Sequence, residues 1–246
     1  MSIKMNAKWC AIFCFAFWIS VVGNPVYSST HPQKQLEKRF DSRVVWNHPG
    51  ILGAHCPGMQ YSCYIHVMKQ YHANPEAIRF VRMEVSLNHS KSAPALYPAS
   101  FKNLGRVGLA SGCFMSADLG CVWFLLNGRP MMISISPGKI FDRNPLYKKI
   151  SSYLRSEKLF AAVESNRASF EKKEKLSTGK QLYIFQFPFM PFDCCPSPYS
   201  ARLGYLFSKG RRFIGRKMLS PCYNSKFRNI QGKNLRNVFH LSSCQP

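Results

Sequence analysis

The stretch Cys121-Val-Trp-Phe-Leu-Leu-Asn-Gly-Arg-Pro-Met-Met-Ile-Ser-Ile135 has two apolar runs on either side of Asn127-Gly128. Asn and Gly adopt positive φ more readily than other residues, so Asn-Gly between apolar runs is typical of a β-hairpin with a type I′ turn. Both runs are nearly continuous rather than alternating, and we therefore expect both faces of the hairpin to be buried.

A second hairpin is predicted in the C-terminal half, and it resembles the first. Arg202–Phe207 and Arg212–Met218 flank Ser208-Lys209-Gly210. Each hairpin opens with Leu-Gly and turns at a Gly followed by Arg. This likeness is consistent with two tandem α+β units over residues 40–140 and 141–246. A single domain with a large insertion is the alternative.

Helices are predicted to begin at two Asn-Pro pairs, because Asn caps a helix and Pro suits its first position. The first helix is expected over about Pro75–Glu84. After Asn144-Pro145, apolar residues recur at three- and four-residue steps as far as Phe170, which predicts an amphipathic helix broken near Ser156. Further predicted elements are strands at Val44–Trp46, Gln60–Val67 and Leu182–Phe189, a loop at Leu87–Gly105 and a polar loop at Glu171–Lys180. The fold class is thus α+β, an antiparallel sheet packed against one or two helices.

The charge of the chain favours contact with polyanions. Among 246 residues there are 34 Lys plus Arg and 11 Asp plus Glu, a formal net charge of +23. From Cys194 to Pro246 there is no acidic residue, and arginines alternate with aromatic residues. Such a pairing binds phosphates and stacks on bases, although a solvated basic face over a core of aromatics gives the same pattern. The predicted RNA-binding residues are Arg202, Arg211, Arg212, Phe213, Arg216 and Lys217, with Tyr223 as a second ring for stacking.

The amino-terminal region predicts a secreted protein. Residues 1–28 are typical of a signal peptide, with Lys4 and Lys8 before a short apolar run and cleavage after Gly23 or Ser28. Residues 29–39 then form a predicted propeptide that ends at Lys38-Arg39, a pair similar to the sites cut by kexin-type Golgi proteases. Cleavage after Arg39 would start the mature chain at Phe40. No other apolar run has the length of a membrane span.

The cysteines predict disulfide bonds. Removal of the signal leaves an even number of cysteines, as expected of a chain that folds in an oxidising compartment. Their pairing is open, and neighbouring Cys194 and Cys195 are expected to have different partners. Asn88-His89-Ser90 is a glycosylation sequon. The predicted disulfide cysteines are Cys56, Cys63, Cys113, Cys121, Cys194, Cys195, Cys222 and Cys244.

No motif of a known catalytic class is present. The sequence has no Gly-x-Ser-x-Gly, Walker loop, His-Glu-x-x-His or Gly-x-Gly-x-x-Gly. His55, Cys56, Cys63 and His66 do not have a standard zinc spacing, and cysteines of a secreted protein form disulfides first. We therefore expect neither a metal nor a cofactor.

Several short motifs follow one another in an order that resembles the secreted microbial guanyl-specific ribonucleases. The resemblance is closer to the ribonuclease-like candidate effectors of powdery mildew fungi. It implies a ribonuclease-like sheet packed on a helix and a role as a secreted effector. The motifs are Tyr61-Ser62-Cys63, Tyr97-Pro98-Ala99-Ser100-Phe101, Gln186-Phe187-Pro188-Phe189 and Pro198-Tyr-Ser-Ala-Arg202-Leu.

The resemblance also implies that the catalytic positions are mostly lost. Ala99 stands where active relatives have a His, and Gln186 stands where they have the general base. Arg202 matches the Arg that contacts the phosphate. The final His is replaced, since the nearby residues are Lys217, Met218 and Leu219. Ala and Gln cannot transfer protons, so a pseudoenzyme is expected.

The predicted function is therefore a secreted effector with an inactive ribonuclease-like scaffold that binds host RNA or a host protein. One alternative is an effector that binds only protein, in which case the basic surface serves solubility or attraction to a membrane. The other is a secreted enzyme of an unrecognised class that uses His66, His72 or His89.

Overall fold

The hairpin around Asn127 belongs to a four-stranded antiparallel sheet, in the order β1-β2-β3-β4. The computed structural model describes residues 38–87, 95–115, 120–156, 162–163, 168–190, 199–223 and 242–244. Leu126 pairs with Met132, so residues 127–131 form the loop and the expected two-residue type I′ turn is wrong. Asn127 nevertheless has the expected positive φ, 66°. The strands are β1 Tyr97–Asn103, β2 Gly108–Cys113, β3 Cys121–Leu126 and β4 Met132–Ser134.

Two expectations for the chain before β2 are wrong. The strand predicted at Val44–Trp46 is wrong, since the structure has a 3-10 helix at Ser42–Val44. The loop predicted at Leu87–Gly105 is wrong because it includes the strand at Tyr97–Asn103.

The predicted C-terminal hairpin lies in a second, six-stranded sheet with the order β10-β9-β8-β7-β5, in which β6 also pairs with β7. All its ladders are antiparallel except the short parallel pair β9–β10. The polar loop expected at Glu171–Lys180 is wrong over its first half, because those residues extend β6. The strands are β5 Ala162–Val163, β6 Ser169–Lys175, β7 Gln181–Met190, β8 Tyr199–Phe207, β9 Phe213–Tyr223 and β10 Ser242–Ser243.

Between residues 38 and 87, three α-helices precede the first sheet: α1 Pro49–His55, α2 Tyr61–Gln70 and α3 Pro75–Leu87. The strand predicted at Gln60–Val67 is wrong, since these residues begin α2. An alternating strand would place Tyr64 and Ile65 on opposite faces, whereas both are buried in one core together with Met68, one turn later. The helix predicted after Asn74 is confirmed, and the Asn74 side chain accepts a hydrogen bond from the Glu76 amide at 3.0 Å.

The fourth helix, α4, spans Pro145–Ser156. Its start is confirmed, because Asn144 Oδ1 accepts hydrogen bonds from the amides of Leu146 and Tyr147 at 2.9 and 3.2 Å. Its expected continuation to Phe170 is wrong: Val163 lies in β5 and Phe170 in β6, where it packs against Phe185. The spacing of the apolar residues after Ser156 fitted both a second helical segment and two short strands, so it could not distinguish them.

The first sheet is covered on both faces, as its apolar runs predicted. Phe124 and Leu126 of β3 belong to a core shared with α2 and α3, here called the helix-side core. Leu125 points the other way, into a core shared with the second sheet and α4, here called the inter-sheet core. Tyr183, Phe185 and Phe187 of β7 and Tyr205 of β8 fill the inter-sheet core.

The described chain from Arg39 onward belongs to one compact unit. The predicted division at residue 140 falls between the two sheets, and residues from both sides of it, such as Leu109 and Phe141, meet in the inter-sheet core. The α+β class is confirmed. No helix within the described ranges is long and apolar enough to cross a membrane.

Within the described part of the chain, three disulfides are formed: Cys56–Cys63, Cys113–Cys121 and Cys222–Cys244. The first joins the end of α1 to α2, the second joins β2 to β3, and the third holds β10 beside β9. The prediction of a disulfide-stabilised protein is confirmed for these six cysteines. The remaining predicted residues Ser28, Asn88, Cys194 and Cys195 lie outside the described residues.

Candidate nucleic-acid interface

Two of the four positions equated with ribonuclease catalytic residues, together with Leu219 from the three residues near the replaced final His, lie side by side on the second sheet. Gln186 of β7 pairs with Arg202 of β8, which pairs with Leu219 of β9. Since side chains alternate along a strand, these residues share the face opposite Phe185 and Phe187, which point into the inter-sheet core. The fourth position, Ala99, lies on β1 of the other sheet and packs against the helix-side core.

Arg202 is paired inside the protein. Its Nε and Nη2 donate to the two carboxylate oxygens of Glu171 at 2.8 and 2.6 Å. The Glu171 side chain is 0% exposed and that of Arg202 is 16% exposed. Such a bidentate, charge-assisted pair is strong and geometrically specific. The positive charge of Arg202 is therefore already matched by a carboxylate, a partner that the sequence analysis placed in a loop.

The hydroxyl of Tyr147 links α4 by hydrogen bonds to the row formed by Gln186, Arg202 and Leu219 across the second sheet. It accepts a hydrogen bond from the Arg202 amide at 3.0 Å and donates one to the Leu219 carbonyl at 2.9 Å. The ladder between β8 and β9 is irregular at this point, between Ser200 and Arg202, so the hydroxyl takes the place of a missing backbone partner. Burial raises the pKa of Tyr147 to about 12. The row is thus a packed and bonded part of the fold.

Histidines lie elsewhere in the described chain. His48, His55, His66 and His72 all precede α3, and His55 Nε2 contacts the Tyr71 hydroxyl at 2.8 Å. Of the four residues considered for zinc, Cys56 and Cys63 form a disulfide. Among the described residues no three His, Cys, Asp or Glu side chains group as metal ligands.

In contrast to Arg202, which is paired with Glu171, the basic residues of four hairpin turns lie close together without an acidic residue in those turns. Four turns connect β1–β2, β3–β4, β6–β7 and β8–β9, at residues 104–107, 127–131, 176–180 and 208–212. Each contains a glycine followed directly by a basic residue, and none contains Asp or Glu. We call the set of four turns the basic end. Its glycine–cation pairs are Gly105-Arg106, Gly128-Arg129, Gly179-Lys180 and Gly210-Arg211, and Lys209 and Arg212 complete its charges.

Specific contacts join the turns of the basic end to one another. Arg106 Nη1 donates to the Gly179 carbonyl at 3.0 Å. Gly179 has a φ of 71° and lies so close to the Lys209 side chain that a Cβ there would collide with it. The Arg129 amide donates to the Arg211 carbonyl at 2.9 Å, and the Arg129 carbonyl accepts from the Phe213 amide at 3.0 Å. The cations are therefore held at one end of the molecule by backbone geometry.

The cations of the basic end are available to solvent. Arg129, Lys209 and Arg212 are exposed, and Arg106, Lys180 and Arg211 are half-buried. A seventh cation, the exposed Arg39, donates from Nη2 to the carbonyls of Gly105 and Arg106 at 3.2 and 3.1 Å. Like charges held close together in this way produce a local positive potential that attracts anions.

The structure distributes the predicted RNA-binding residues over separate places. Arg211 and Arg212 lie at the basic end, whereas Arg202 lies in the row with Glu171. Arg216 and Lys217 lie farther along β9, and Arg216 Nη1 donates to the Ser136 carbonyl at 3.0 Å. The Phe213 ring packs against Tyr205 and Phe207 at centroid distances of 6.2 and 5.5 Å. Tyr223 ends β9, where it pairs with Tyr199 and Ser243.

The predicted RNA-binding residues did not include four cations of the basic end, Arg106, Arg129, Lys180 and Lys209. A signal for them existed, since glycine followed by arginine was noted in two hairpin turns, and glycine followed by a basic residue occurs in all four turns. Comparison of the chain with protein-family models, curated proteins and solved structures gives no match.

Proposed function

We propose that this protein is a secreted, effector-like protein that binds RNA through the phosphate backbone and does not cleave it. The binding surface is the basic end. The observation that carries the proposal is the convergence of four glycine–cation turns, with no acid among them, at one end of two sheets.

The chemistry of the basic end suits a chain of phosphates. Phosphodiester groups repeat along RNA, and exposed Arg and Lys side chains on fixed turns neutralise several of them at once. Neutralisation releases counterions, so binding of this kind weakens steeply as salt rises. The partner is identified by its repeated negative charge, and sequence-specific recognition of bases is not part of the proposal.

The row of Gln186, Arg202 and Leu219 supports binding without cleavage. Hydrolysis through the 2′-hydroxyl needs a base and an acid that exchange protons near neutral pH. Neither Gln nor Leu exchanges protons in this range. Glu171, the acid beside the row, is bound on both oxygens by Arg202.

The three disulfides support an extracellular site of action, since such bonds persist in oxidising compartments. In the proposal, the signal peptide at residues 1–28 directs the chain into the secretory pathway. Entry into a host cell and contact with host RNA are suggested by the resemblance to ribonuclease-like effectors alone, and RNA binding does not depend on them.

The proposal is tested by titrating the oxidised protein against fluorescent single-stranded RNA at several salt concentrations while cleavage is followed on a gel. A turn variant combines Arg129→Gln, Lys209→Gln and Arg212→Gln, which removes three exposed cations of the basic end. We expect no cleavage by either protein, and the slope of log affinity against log salt to fall by about 2 in the variant, roughly 0.7 per lost phosphate contact.

A matched control removes the same number of charges elsewhere, with Lys69→Gln, Arg82→Gln and Lys148→Gln on exposed positions of α2, α3 and α4. The control is expected to bind with nearly the wild-type salt slope. Equal weakening by both variants would show that only net charge matters, and cleavage by the wild-type protein would refute the pseudoenzyme. An absence of salt-sensitive binding would favour a protein partner.

A further inference from the structure

Phe40 is held in place by several contacts of its side chain and backbone. Its ring is 2% exposed and belongs to the helix-side core. The Arg79 guanidinium lies over that ring, 3.9 Å from its centroid. Burial of this side chain is a strong hydrophobic contribution, and the cation above the ring adds to it.

One side chain, Asn127, binds both polar backbone groups of Phe40. The Phe40 amide donates to Asn127 Oδ1 at 2.6 Å, and Asn127 Nδ2 donates to the Phe40 carbonyl at 2.9 Å. Asn127 is 3% exposed and has a positive φ, a conformation that Asn tolerates better than most residues. The side-chain amide of Asn127 therefore makes the two hydrogen bonds with Phe40 that a neighbouring strand would otherwise make. This arrangement is here called the Asn127 clasp.

The residues immediately before the clasp have a different environment. Lys38 and Arg39 are both exposed, and the compact unit begins at Arg39. The Arg39 guanidinium donates hydrogen bonds to the carbonyls of Gly105 and Arg106. The change from an exposed dibasic pair to a buried, fully bonded residue takes place across the single bond between Arg39 and Phe40.

We propose that the Asn127 clasp is a receptor for a new amino terminus, produced when a basic-residue-specific endopeptidase hydrolyses the Arg39–Phe40 bond. Water supplies a hydroxyl to the carbonyl carbon of Arg39, which leaves as a carboxylate. The bond between that carbon and the Phe40 nitrogen breaks. The nitrogen gains both protons of the water, the second of them released by the new carboxyl group, and becomes an ammonium. One ammonium hydrogen keeps the bond to Asn127 Oδ1, and the Phe40 carbonyl keeps its bond from Nδ2.

The ammonium is a stronger donor than the amide that it replaces. Its other hydrogens point to the side from which Arg39 has left, which is exposed surface. We expect further removal of residues from the new amino terminus to stop at Phe40. Loss of this residue would empty its site in the helix-side core and leave both polar groups of the buried Asn127 side chain unpaired. The proposal goes beyond RNA binding and does not depend on it.

The first experiment treats the full chain, purified oxidised, with a limiting amount of a kexin-type endopeptidase and reads the new terminus by intact mass spectrometry. We expect a product that begins at Phe40 and unfolds cooperatively. The Arg39→Gln chain provides the uncleaved reference. A stable product with a different terminus, or a folded chain that is never cut after Arg39, would overturn the proposal.

The second experiment compares Asn127→Asp with the wild type in the cleaved and uncleaved forms. Aspartate keeps an acceptor for the Phe40 nitrogen but loses the donor to its carbonyl. In the cleaved form it gains an ion pair with the new ammonium. We therefore expect the melting temperature to fall less in the cleaved form than in the uncleaved form, and equal falls would show that the new terminus lies outside the clasp.

Asn144→Asp serves as the matched control, because Asn144 Oδ1 accepts from the Leu146 and Tyr147 amides at the start of α4. Its effect should be the same in both forms. If Asn127→Asp does not fold, the wild type still gives an answer through labelling of its terminal amine with an amine-reactive ester. Labelling of the Phe40 amine should be roughly tenfold or more slower in the folded protein than in urea, and equal rates would refute the clasp.

Discussion

Arginine serves two different purposes in the row on the second sheet and at the basic end. Arg202 in the row is mostly buried, and both carboxylate oxygens of Glu171 bind it. Arg129 and Arg212 at the basic end are exposed, in turns without acids. The sequence presents Arg202 and Arg212 as parts of one basic region, and only the pairing of distant strands separates their roles.

The comparison teaches that the net charge of a chain does not say which cations can bind a ligand. A buried cation needs a partner to compensate for the water it loses, so it is bound within the fold. A cation on a turn keeps its water and can exchange it for a phosphate.

The largest effect is expected from breaking the buried pair. Glu171→Gln leaves the Arg202 guanidinium without a counter-charge, and we expect the free energy of unfolding to fall by about 3–5 kcal/mol. Urea unfolding followed by circular dichroism measures it. Glu174→Gln is the control, since the Glu174–Lys172 pair is exposed by more than a third on each side and should contribute less than about 1 kcal/mol. Equal effects would show that Arg202 is not held as described.

A smaller loss is expected from Tyr147→Phe. This change removes the hydroxyl that joins the Arg202 amide to the Leu219 carbonyl and leaves two backbone groups unpaired. We expect a fall of about 1–3 kcal/mol in the free energy of unfolding, again from urea titration. Tyr71→Phe removes a surface hydroxyl that contacts only His55 and should change stability much less.

The difference between wild type and Tyr147→Phe should also depend on pH. Burial raises the pKa of Tyr147 to about 12 in the folded protein, against an ordinary value of 10.0. The folded state therefore holds the phenol proton more tightly, and this contribution is complete below about pH 10 and lost as pH rises toward 12. The stability difference between the two proteins should narrow over that range. A constant difference up to pH 12 would contradict the buried position of the hydroxyl.

The smallest effects separate the predicted RNA contacts from one another. Arg211→Gln with Arg212→Gln removes two charges from the basic end, whereas Arg216→Gln with Lys217→Gln removes two from β9 beyond it. We expect the first pair to lower the salt slope of RNA binding by about 1.4 and the second to lower it by less than half of that. The opposite order, measured by fluorescence anisotropy, would move the binding surface to β9.

The sequence predicted the local secondary-structure elements better than the tertiary contacts between them. Both hairpins, the helix after Asn74 and the cap at Asn144 follow from residues next to one another, and all are confirmed. The strand predicted at Gln60–Val67 failed because a short run with Tyr64 and Ile65 fits both periodicities until its neighbours are known. Glu171 was assigned to a loop because its strand is polar, and its partner is on another strand.

The basic end could not be predicted from the sequence either, because it too depends on contacts between distant segments. Gly128-Arg129 and Gly210-Arg211 were visible as a repeated turn, but no local pattern says that turns far apart in sequence meet. Their meeting follows from the sheet order and from the shared backbone bonds of Arg129. The clasp between Phe40 and Asn127 is likewise a long-range contact, since a hairpin asparagine normally serves its own turn.

The crowding of like charges at the basic end makes ionic strength act on this protein in two opposite directions. Added salt screens the repulsion among cations that the turns hold together, and so favours the folded state. The same salt would remove the counterion release that drives the proposed attachment to RNA. We therefore expect the protein to be least stable in a dilute medium and, if it binds a polyanion as proposed, to bind it most tightly there, where the bound polyanion would supply the screening that the solvent lacks.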